Sequence, residues 1–221
     1  MRTLLCLALI ALTPHTAEPS CMQAELTSQV LTRRDTRLPS DGGVLVGYTY
    51  ATGNDVDRDD TWTGSVGMTR VQLAPGLSMF RPASSATSFK LTTKAGKDRG
   101  SFTIDPKSAA TTMTAPNPKL LTSKTTEGFR SMTTVTTMKL GAAPPADAVA
   151  IIAYDEQHKA LLYASFPDTH DKLLEFEIDR TGGHCGTVKP TGQGVLAGKI
   201  TFAYVDLFGR LSPTSTAITA R

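Results

Sequence analysis

The sequence predicts an all-β protein composed of two tandem β-sandwich domains. Hydrophobic residues make up 40% of the 221 residues and charged residues only 19%, and the 18 Gly and 13 Pro supply many turn signals. Short stretches of alternating apolar and polar residues recur along the whole chain, and none shows the sustained apolar stripe of a long helix. The length is sufficient for two domains of about a hundred residues each.

Residues 1–20 have the three parts of a secretory signal peptide. Arg2 supplies the positive start, Leu4 to Leu12 an apolar centre, and Thr13 to Ala17 a polar exit that ends in a small residue. The apolar centre is too short to cross a bilayer. We therefore expect an exported protein, in the periplasm, at the cell surface or outside the cell, with no transmembrane span in the mature chain.

The first domain is expected over residues 21–105. Residues 22–38 are ambiguous between an edge strand and a short helical turn, and a turn cluster follows at Pro39 to Gly43. Gly64 and Gly67 indicate a bend or bulges in the stretch that starts at Trp62. The alternation between turn signals predicts strands at 44–49, 62–73, 77–80, 89–92 and 102–105.

A linker is expected over residues 106–126. This segment carries Pro106, Pro116 and Pro118 among Ser, Thr, Ala and Lys, and it has few residues that could form a core. Such a composition is typical of an extended connection between domains.

The second domain is expected over residues 127–221. Residues 132–140 repeat apolar side chains three apart, but their threonines favour a strand. In the closing hairpin, Ile200, Phe202 and Tyr204 alternate with smaller residues, which predicts a sheet covered on one side. Gly209 suits the positive φ of the following turn. The remaining strands are expected at 149–154, 161–166, 174–178 and 214–219.

The closing hairpin resembles the end of fibronectin type III-like and other immunoglobulin-like modules of bacterial exported proteins. In those modules an apolar strand is followed by an Asp, a Gly turn and a Ser-x-x-Ser strand. Asp206, Gly209, Ser212 and Ser215 match that pattern. The resemblance implies an immunoglobulin-like fold for the second domain, and the strand spacing extends that fold to the first.

Two cysteines remain after signal removal, Cys21 and Cys185. In an oxidising compartment they most simply form a disulfide bond, which would close a loop of well over a hundred residues. Lipidation of Cys21 as the first residue of a bacterial lipoprotein is a second hypothesis, and two free thiols are a third.

An acidic loop at 53–60 carries alternate carboxylates. Asp55, Asp57 and Asp59 could gather around a calcium ion, although Asp60 stands where an EF-hand loop needs Gly. A solvated hairpin loop is the simpler interpretation. Trp62, the single Trp, follows the loop and could stack on a sugar, but a lone Trp in a sandwich is more often part of the core.

The sequence favours a protein that is not an enzyme. It contains no G-x-S-x-G elbow and no zinc-ligand spacing, and its net charge of +3 is too dispersed for nucleic-acid binding. We expect a structural or protein-binding module of the bacterial envelope, without a cofactor, whose partner is an envelope protein or a glycan. A calcium- or carbohydrate-dependent adhesion module is the alternative, and a hydrolase with dispersed catalytic residues is a third hypothesis.

Overall fold

A computed structural model describes most of the chain after the predicted signal peptide. The strands and turns below are drawn from residues 25–33, 36–51, 62–83, 86–93, 98–105, 113–128, 131–166, 173–183, 186–187, 196 and 198–219. Within these ranges every regular element is a strand, so the all-β class is confirmed.

The strands carry the following bounds along the chain. They are β1 Glu25–Val30, β2 Arg37–Pro39, β3 Val44–Ala51, β4 Trp62–Gly64, β5 Met68–Ala74, β6 Leu77–Pro82, β7 Ser88–Thr93, β8 Asp98–Asp105, β9 Pro118–Gly128, β10 Ser131–Leu140, β11 Ala148–Tyr154, β12 Ala160–Ser165, β13 Leu173–Gly183, β14 Gly186–Thr187, β15 Lys199–Asp206 and β16 Ile218–Thr219.

The strands form four sheets of four strands each. We name them the first inner sheet (β1-β3-β6-β5), the first outer sheet (β2-β8-β7-β4), the second inner sheet (β12-β11-β15-β16) and the second outer sheet (β14-β13-β10-β9). Neighbouring strands are antiparallel except β2 and β8, which are parallel.

Each inner sheet shares a hydrophobic core with its outer sheet. The first core contains buried residues of β2, β3, β6, β7 and β8, and the rings of Phe89 and Phe102 lie 5.6 Å apart within it. The second core contains Met138 of β10, Ile151 of β11 and Phe202 of β15. This face-to-face packing of sheets is β-sandwich architecture.

A third hydrophobic cluster joins the two inner sheets. We call it the middle cluster, and its buried members are Leu45, Ala74, Leu77, Ala150, Ile152 and Val205. Alternate residues of β3, β11 and β15 therefore point to a sandwich core and to the middle cluster, so these strands are buried on both faces. The layers run outer, inner, inner, outer.

Burial on both faces explains one departure from the sequence prediction. The alternation in β15 was expected to belong to a sheet covered on one side, and that prediction is wrong, since Ala203 and Val205 are as buried as Phe202. The small residues face the other inner sheet, where two sheets approach closely. The unbroken apolar run in β11 has the same cause.

Part of the predicted linker is a strand. Residues 118–126 lie within β9, an edge strand of the second outer sheet whose Leu121 is buried in the second core. Pro118 is tolerated because it is the first residue of an edge strand. Residues 106–112 of the predicted linker lie outside the described ranges.

The bend predicted around Gly64 and Gly67 separates two strands of different sheets. β4 pairs with β7 in the first outer sheet, and β5 pairs with β6 in the first inner sheet. The chain thus crosses from one layer of the sandwich to the other within Ser65 to Gly67. Within the described part of the chain, no helix is long and apolar enough to span a membrane.

Candidate functional site

The best-defined polar cluster of the described residues lies where the two sandwiches meet beside the middle cluster. We call it the joint. It consists of the turn after β15, residues 206–210, the turn after β2, residues 39–43, and Thr32.

The turn at 206–210 is organised by the carboxylate of Asp206. Its Oδ1 accepts the backbone N–H groups of Phe208 and Arg210, both at 2.9 Å, and its Oδ2 accepts Nε–H of Arg210 at 2.7 Å. An Asp that bonds backbone two residues ahead is a characteristic turn former. The Asp206 side chain is only 2% exposed, and these bonds compensate for its lost hydration.

The positive φ predicted for Gly209 is present, at +75°. A Cβ at this position would lie 2.7 Å from Sδ and 2.9 Å from Cγ of Met79 in β6. Glycine is therefore required twice, by the backbone conformation and by the close approach of the first inner sheet.

The turn at 39–43 receives Phe208. Gly43 N–H donates to the carbonyl of Phe208 at 2.8 Å, and the Phe208 side chain packs against the first core. A Cβ on Gly42 would lie 2.8 Å from Cβ of Phe208, and one on Gly43 would lie 2.5 Å from the carbonyl oxygen of Phe80. Both glycines are thus places where backbones touch.

Thr32 connects the two sandwiches through a buried hydroxyl. Its Oγ1 donates to the carbonyl of Leu207 at 2.6 Å and accepts the N–H of Leu45 at 2.7 Å. The residue is 2% exposed. Nothing in the local sequence distinguishes Thr32 from the many other threonines, so sequence reasoning missed it.

Two arginines hold the rim of the joint. Arg81 donates from Nε to the carbonyl of Gly42 at 3.2 Å and from Nη2 to the carbonyl of Asp41. Arg210 lies over the ring of Phe208, 5.3 Å from its centroid, and its Nη1 is 3.7 Å from Oδ1 of Asp41. Asp41 is half exposed, so this last pair contributes little by itself.

Ser212 and Ser215, the two serines that match the fibronectin type III-like pattern, hydrogen-bond to the backbone of β15. Ser212 Oγ accepts the N–H of Tyr204 at 2.9 Å, and Ser215 Oγ accepts the N–H of Phe202 at 3.0 Å. The backbone N–H of each serine donates in turn to the carbonyl of the same β15 residue. The strand expected over 214–219 forms only at Ile218–Thr219. Before it, the hydroxyls of Ser212 and Ser215 accept the β15 N–H groups that the backbone carbonyls of a paired strand would accept.

Burial raises the pKa of three tyrosines. The pKa of Tyr204, in the second core, is raised to about 12 by desolvation. Desolvation also raises the pKa of Tyr154, and of Tyr163, where a backbone hydrogen bond at Tyr48 opposes it. Tyr154 and Tyr163 pack against the middle cluster.

The residues singled out for chemistry lie mostly outside the described ranges. Asp55, Asp57 and Asp59 are outside them, as are Cys21 and Cys185. Trp62 opens β4 and pairs with Thr93. In the ranges that are described, no three or more His, Cys, Asp or Glu side chains come together as metal ligands would.

The hairpin loop at 155–159 joins β11 to β12. Asp155 Oδ1 accepts the N–H groups of Gln157 and Lys159, at 2.9 and 2.8 Å. His158 has a φ of +59°, which is uncommon for a residue with a Cβ, and its ring is 6.4 Å from that of Tyr154. The loop is polar and exposed, but it holds its own shape.

No protein-family model matches the chain, and no curated protein is significantly similar to it. The architecture defines the class of protein, a layered β-sandwich protein with a tight joint between two pairs of sheets.

Proposed function

We propose that this protein is an exported, non-enzymatic structural or protein-binding module of the bacterial envelope. Two tandem immunoglobulin-like sandwiches follow a signal peptide, and the joint holds them in one relative position. The observation that carries this proposal is the joint itself, where Thr32 and Gly43 hydrogen-bond to Leu207 and Phe208 across 175 and 165 residues of sequence, at 2.6 and 2.8 Å.

The chemistry of the joint supports a structural role. The carboxylate of Asp206 receives three donors from its own turn, and the Thr32 hydroxyl both donates and accepts. These groups are committed to holding backbone rather than to a substrate. A rigid pair of sandwiches keeps its end loops at a fixed spacing, which suits a spacer or a two-point binder.

Rigidity can be measured with one spin label on each outer sheet. Unnatural amino acids at Ser101 and Thr122 avoid the native cysteines, and both positions are exposed. Pulsed electron resonance should give one narrow distance distribution for the wild-type chain. Gly209→Ala should broaden it, while Gly198→Ala should not. A broad wild-type distribution would contradict the proposed fixed arrangement.

Export and binding need experiments in the native cell. Fractionation followed by intact mass should find a chain shortened at its N-terminus outside the cytoplasm. Its mass with and without reductant tests the Cys21 to Cys185 bond, and acyl mass would identify a lipoprotein. A photo-cross-linking residue at the exposed Glu156 should capture an envelope partner. A full-length cytoplasmic chain without cross-links above background would refute the proposal.

A further inference from the structure

β5, Met68–Ala74, is an edge strand of the first inner sheet and pairs with β6. Its residues 69–72 are all exposed, although successive residues of a strand point to opposite faces of the sheet. Farther along the strand, Leu73 and Ala74 pack in the middle cluster. The central part of β5 is therefore uncovered on both faces, and we call the side of the strand away from β6 its free edge.

The hydrogen-bond pattern shows which backbone groups of β5 point to the free edge. Ala83 N–H donates to the carbonyl of Gly67 at 2.7 Å, so these two residues form a hydrogen-bonded antiparallel pair. Hydrogen-bonded and non-hydrogen-bonded pairs alternate along such a ladder. Arg70 and Gln72 therefore occupy non-hydrogen-bonded positions opposite β6, and their N–H and C=O groups point to the free edge.

β3 gives the same assignment from the other side of β6. Tyr48 N–H donates to the carbonyl of Gly76 at 2.7 Å, so the alternation makes Ser78 and Phe80 the hydrogen-bonded partners of β3. Their backbone groups therefore point to β3 rather than to β5. Within the described ranges, no residue hydrogen-bonds to the backbone groups at the free edge, which another extended strand could satisfy.

The free edge lacks the features that usually keep edge strands from pairing, namely shortness, proline and charge. β2, β4, β14 and β16 have three residues or fewer, and β9 begins with Pro118 and Lys119. β5 has seven residues, no proline and a single charged residue, Arg70. Arg70 donates from Nε to Oγ of Ser78 at 3.0 Å, and its guanidinium carbon lies 4.9 Å from the ring centroid of Tyr48. The charge is thus directed across β6 and β3, away from the free edge.

The sequence of β5 is complementary to itself when two copies of the strand run antiparallel. Val71 is the middle of its seven residues, so a two-fold axis through Val71 pairs the strand along its whole length. Val71 is 37% exposed and would meet Val71 of the second copy in a non-hydrogen-bonded pair, where side chains are closest. Arg70 would lie opposite Gln72 on each side of the axis, so no like charges are directly opposed.

We propose that the free edge of β5 binds β5 of a second copy of this chain, so that two four-stranded sheets become one sheet of eight strands. The two pairs of Arg70 with Gln72 supply four backbone hydrogen bonds. One strand edge buries less than the roughly 800 Å² per partner of a stable interface, so the dimer is weak and depends on protein concentration. This inference goes beyond the proposed function and does not depend on the joint.

Sedimentation velocity from about 10 μM to about 1 mM tests this proposal. The wild-type chain should shift from monomer to dimer across that range. Val71→Lys and Val71→Glu each place like charges on the axis, so each variant alone should stay monomeric. An equimolar mixture of the two brings opposite charges together and should recover the dimer. Ser101→Lys adds the same charge at an exposed position of β8 and should leave the wild-type dimer unchanged.

A proline variant tests the backbone hydrogen bonds of the free edge. Gln72→Pro removes an N–H that points away from β6, so it should abolish the dimer and keep the wild-type unfolding curve in urea. A dimer that persists in a folded Gln72→Pro variant would contradict the strand pairing. The mixture of Val71 variants decides the proposal even if proline unfolds the chain.

Several outcomes would overturn the proposal. A wild-type monomer at every concentration would do so, and a photo-cross-link from position 72 to a different envelope protein would then assign the free edge to a foreign strand. A dimer that survives Val71→Lys would place the contact elsewhere on the molecule. A mixture that stays monomeric would exclude an axis through Val71. Because β5 pairing is independent of the joint, each of these outcomes would leave the proposed function standing.

Discussion

Gly209 and Gly198 form a matched pair that isolates the contact between the two sandwiches. Their φ values are +75° and +76°, so an alanine meets the same backbone cost at either position. Their surroundings differ. A Cβ at Gly198 has no atom within 4 Å, whereas a Cβ at Gly209 would lie 2.7, 2.9 and 3.1 Å from three side-chain atoms of Met79.

The expected losses of stability follow from the left-handed backbone at both glycines and from the contact with Met79 at Gly209 alone. An L-residue in the left-handed region loses about 1–2 kcal/mol, and the stiffer unfolded chain returns about 0.4–1 kcal/mol, so Gly198→Ala should destabilise by about 1 kcal/mol. Gly209→Ala carries the same term plus about 1–3 kcal/mol for overpacking against Met79. Its total should be about 2–4 kcal/mol.

Urea unfolding of the two variants measures the difference. The slope of free energy against urea should stay at the wild-type value, since neither change alters the surface exposed on unfolding. Met79→Ala then provides a check, because it removes Sδ and Cγ, the two Met79 atoms that would lie within 3.0 Å of the added Cβ. The double variant with Gly209→Ala and Met79→Ala should lose less free energy of unfolding than the sum of the losses in the two single variants, by about 1–3 kcal/mol. Equal costs for the two alanines, or additive costs with Met79→Ala, would refute the close contact.

Three further predictions concern single side chains. Ser212→Ala leaves the buried N–H of Tyr204 without its hydroxyl acceptor and should destabilise by about 1–3 kcal/mol in urea, whereas the exposed Ser101→Ala should change stability by under about 0.5 kcal/mol; equal effects would contradict the assigned bond. His158→Val should unfold more easily than His158→Gly by about 1–2 kcal/mol, because only glycine is unstrained at a φ of +59°; equal stabilities would show that the loop relaxes. The pKa of the Tyr204 hydroxyl is higher in the folded chain than in the unfolded chain, so the unfolded chain is deprotonated first as pH rises. The contribution of Tyr204 to stability is therefore complete below about pH 10 and falls as pH rises towards about 12. Tyr204→Phe removes the hydroxyl, so the free energy of unfolding of this variant should fall less between about pH 10 and about pH 12 than that of the wild type. An equal fall in both proteins would contradict the raised pKa of Tyr204.

The sequence predicted most strands because their signal is local. The alternation at Phe89 to Leu91 and the turn cluster at Pro39 to Gly43 can be interpreted from the next few residues alone. The left-handed conformation of Gly209 was also predicted, since turn chemistry is set within four or five residues.

Two-sided burial was not predicted, and neither was the joint. A small residue such as Ala203 can face solvent or a closely packed second sheet, and composition alone does not distinguish the two. Thr32 and Leu207 are 175 residues apart, so no local pattern connects them. Residues 118–126 of β9 were predicted to be linker because the prolines and threonines of residues 106–126 suit an extended segment, and an edge strand is also extended.

The apolar side chains and the hydrogen bonds at the boundary between the sandwiches contribute differently to its stability and to its geometry. Leu45, Leu77, Ile152 and Val205 are fully buried, and burying such side chains contributes about 1.5–3 kcal/mol each, part of it to their own sheets. The hydrogen bonds of Thr32 and Gly43 add only about 1 kcal/mol each.

Apolar contact, however, has no preferred direction and would tolerate sliding of one inner sheet over the other. A shift of about one ångström along the bond from Thr32 to Leu207 would lengthen that bond from 2.6 Å to about 3.6 Å, beyond hydrogen-bond range. The middle cluster therefore supplies most of the free energy that holds the sandwiches together, and the joint selects one arrangement among those that the cluster allows.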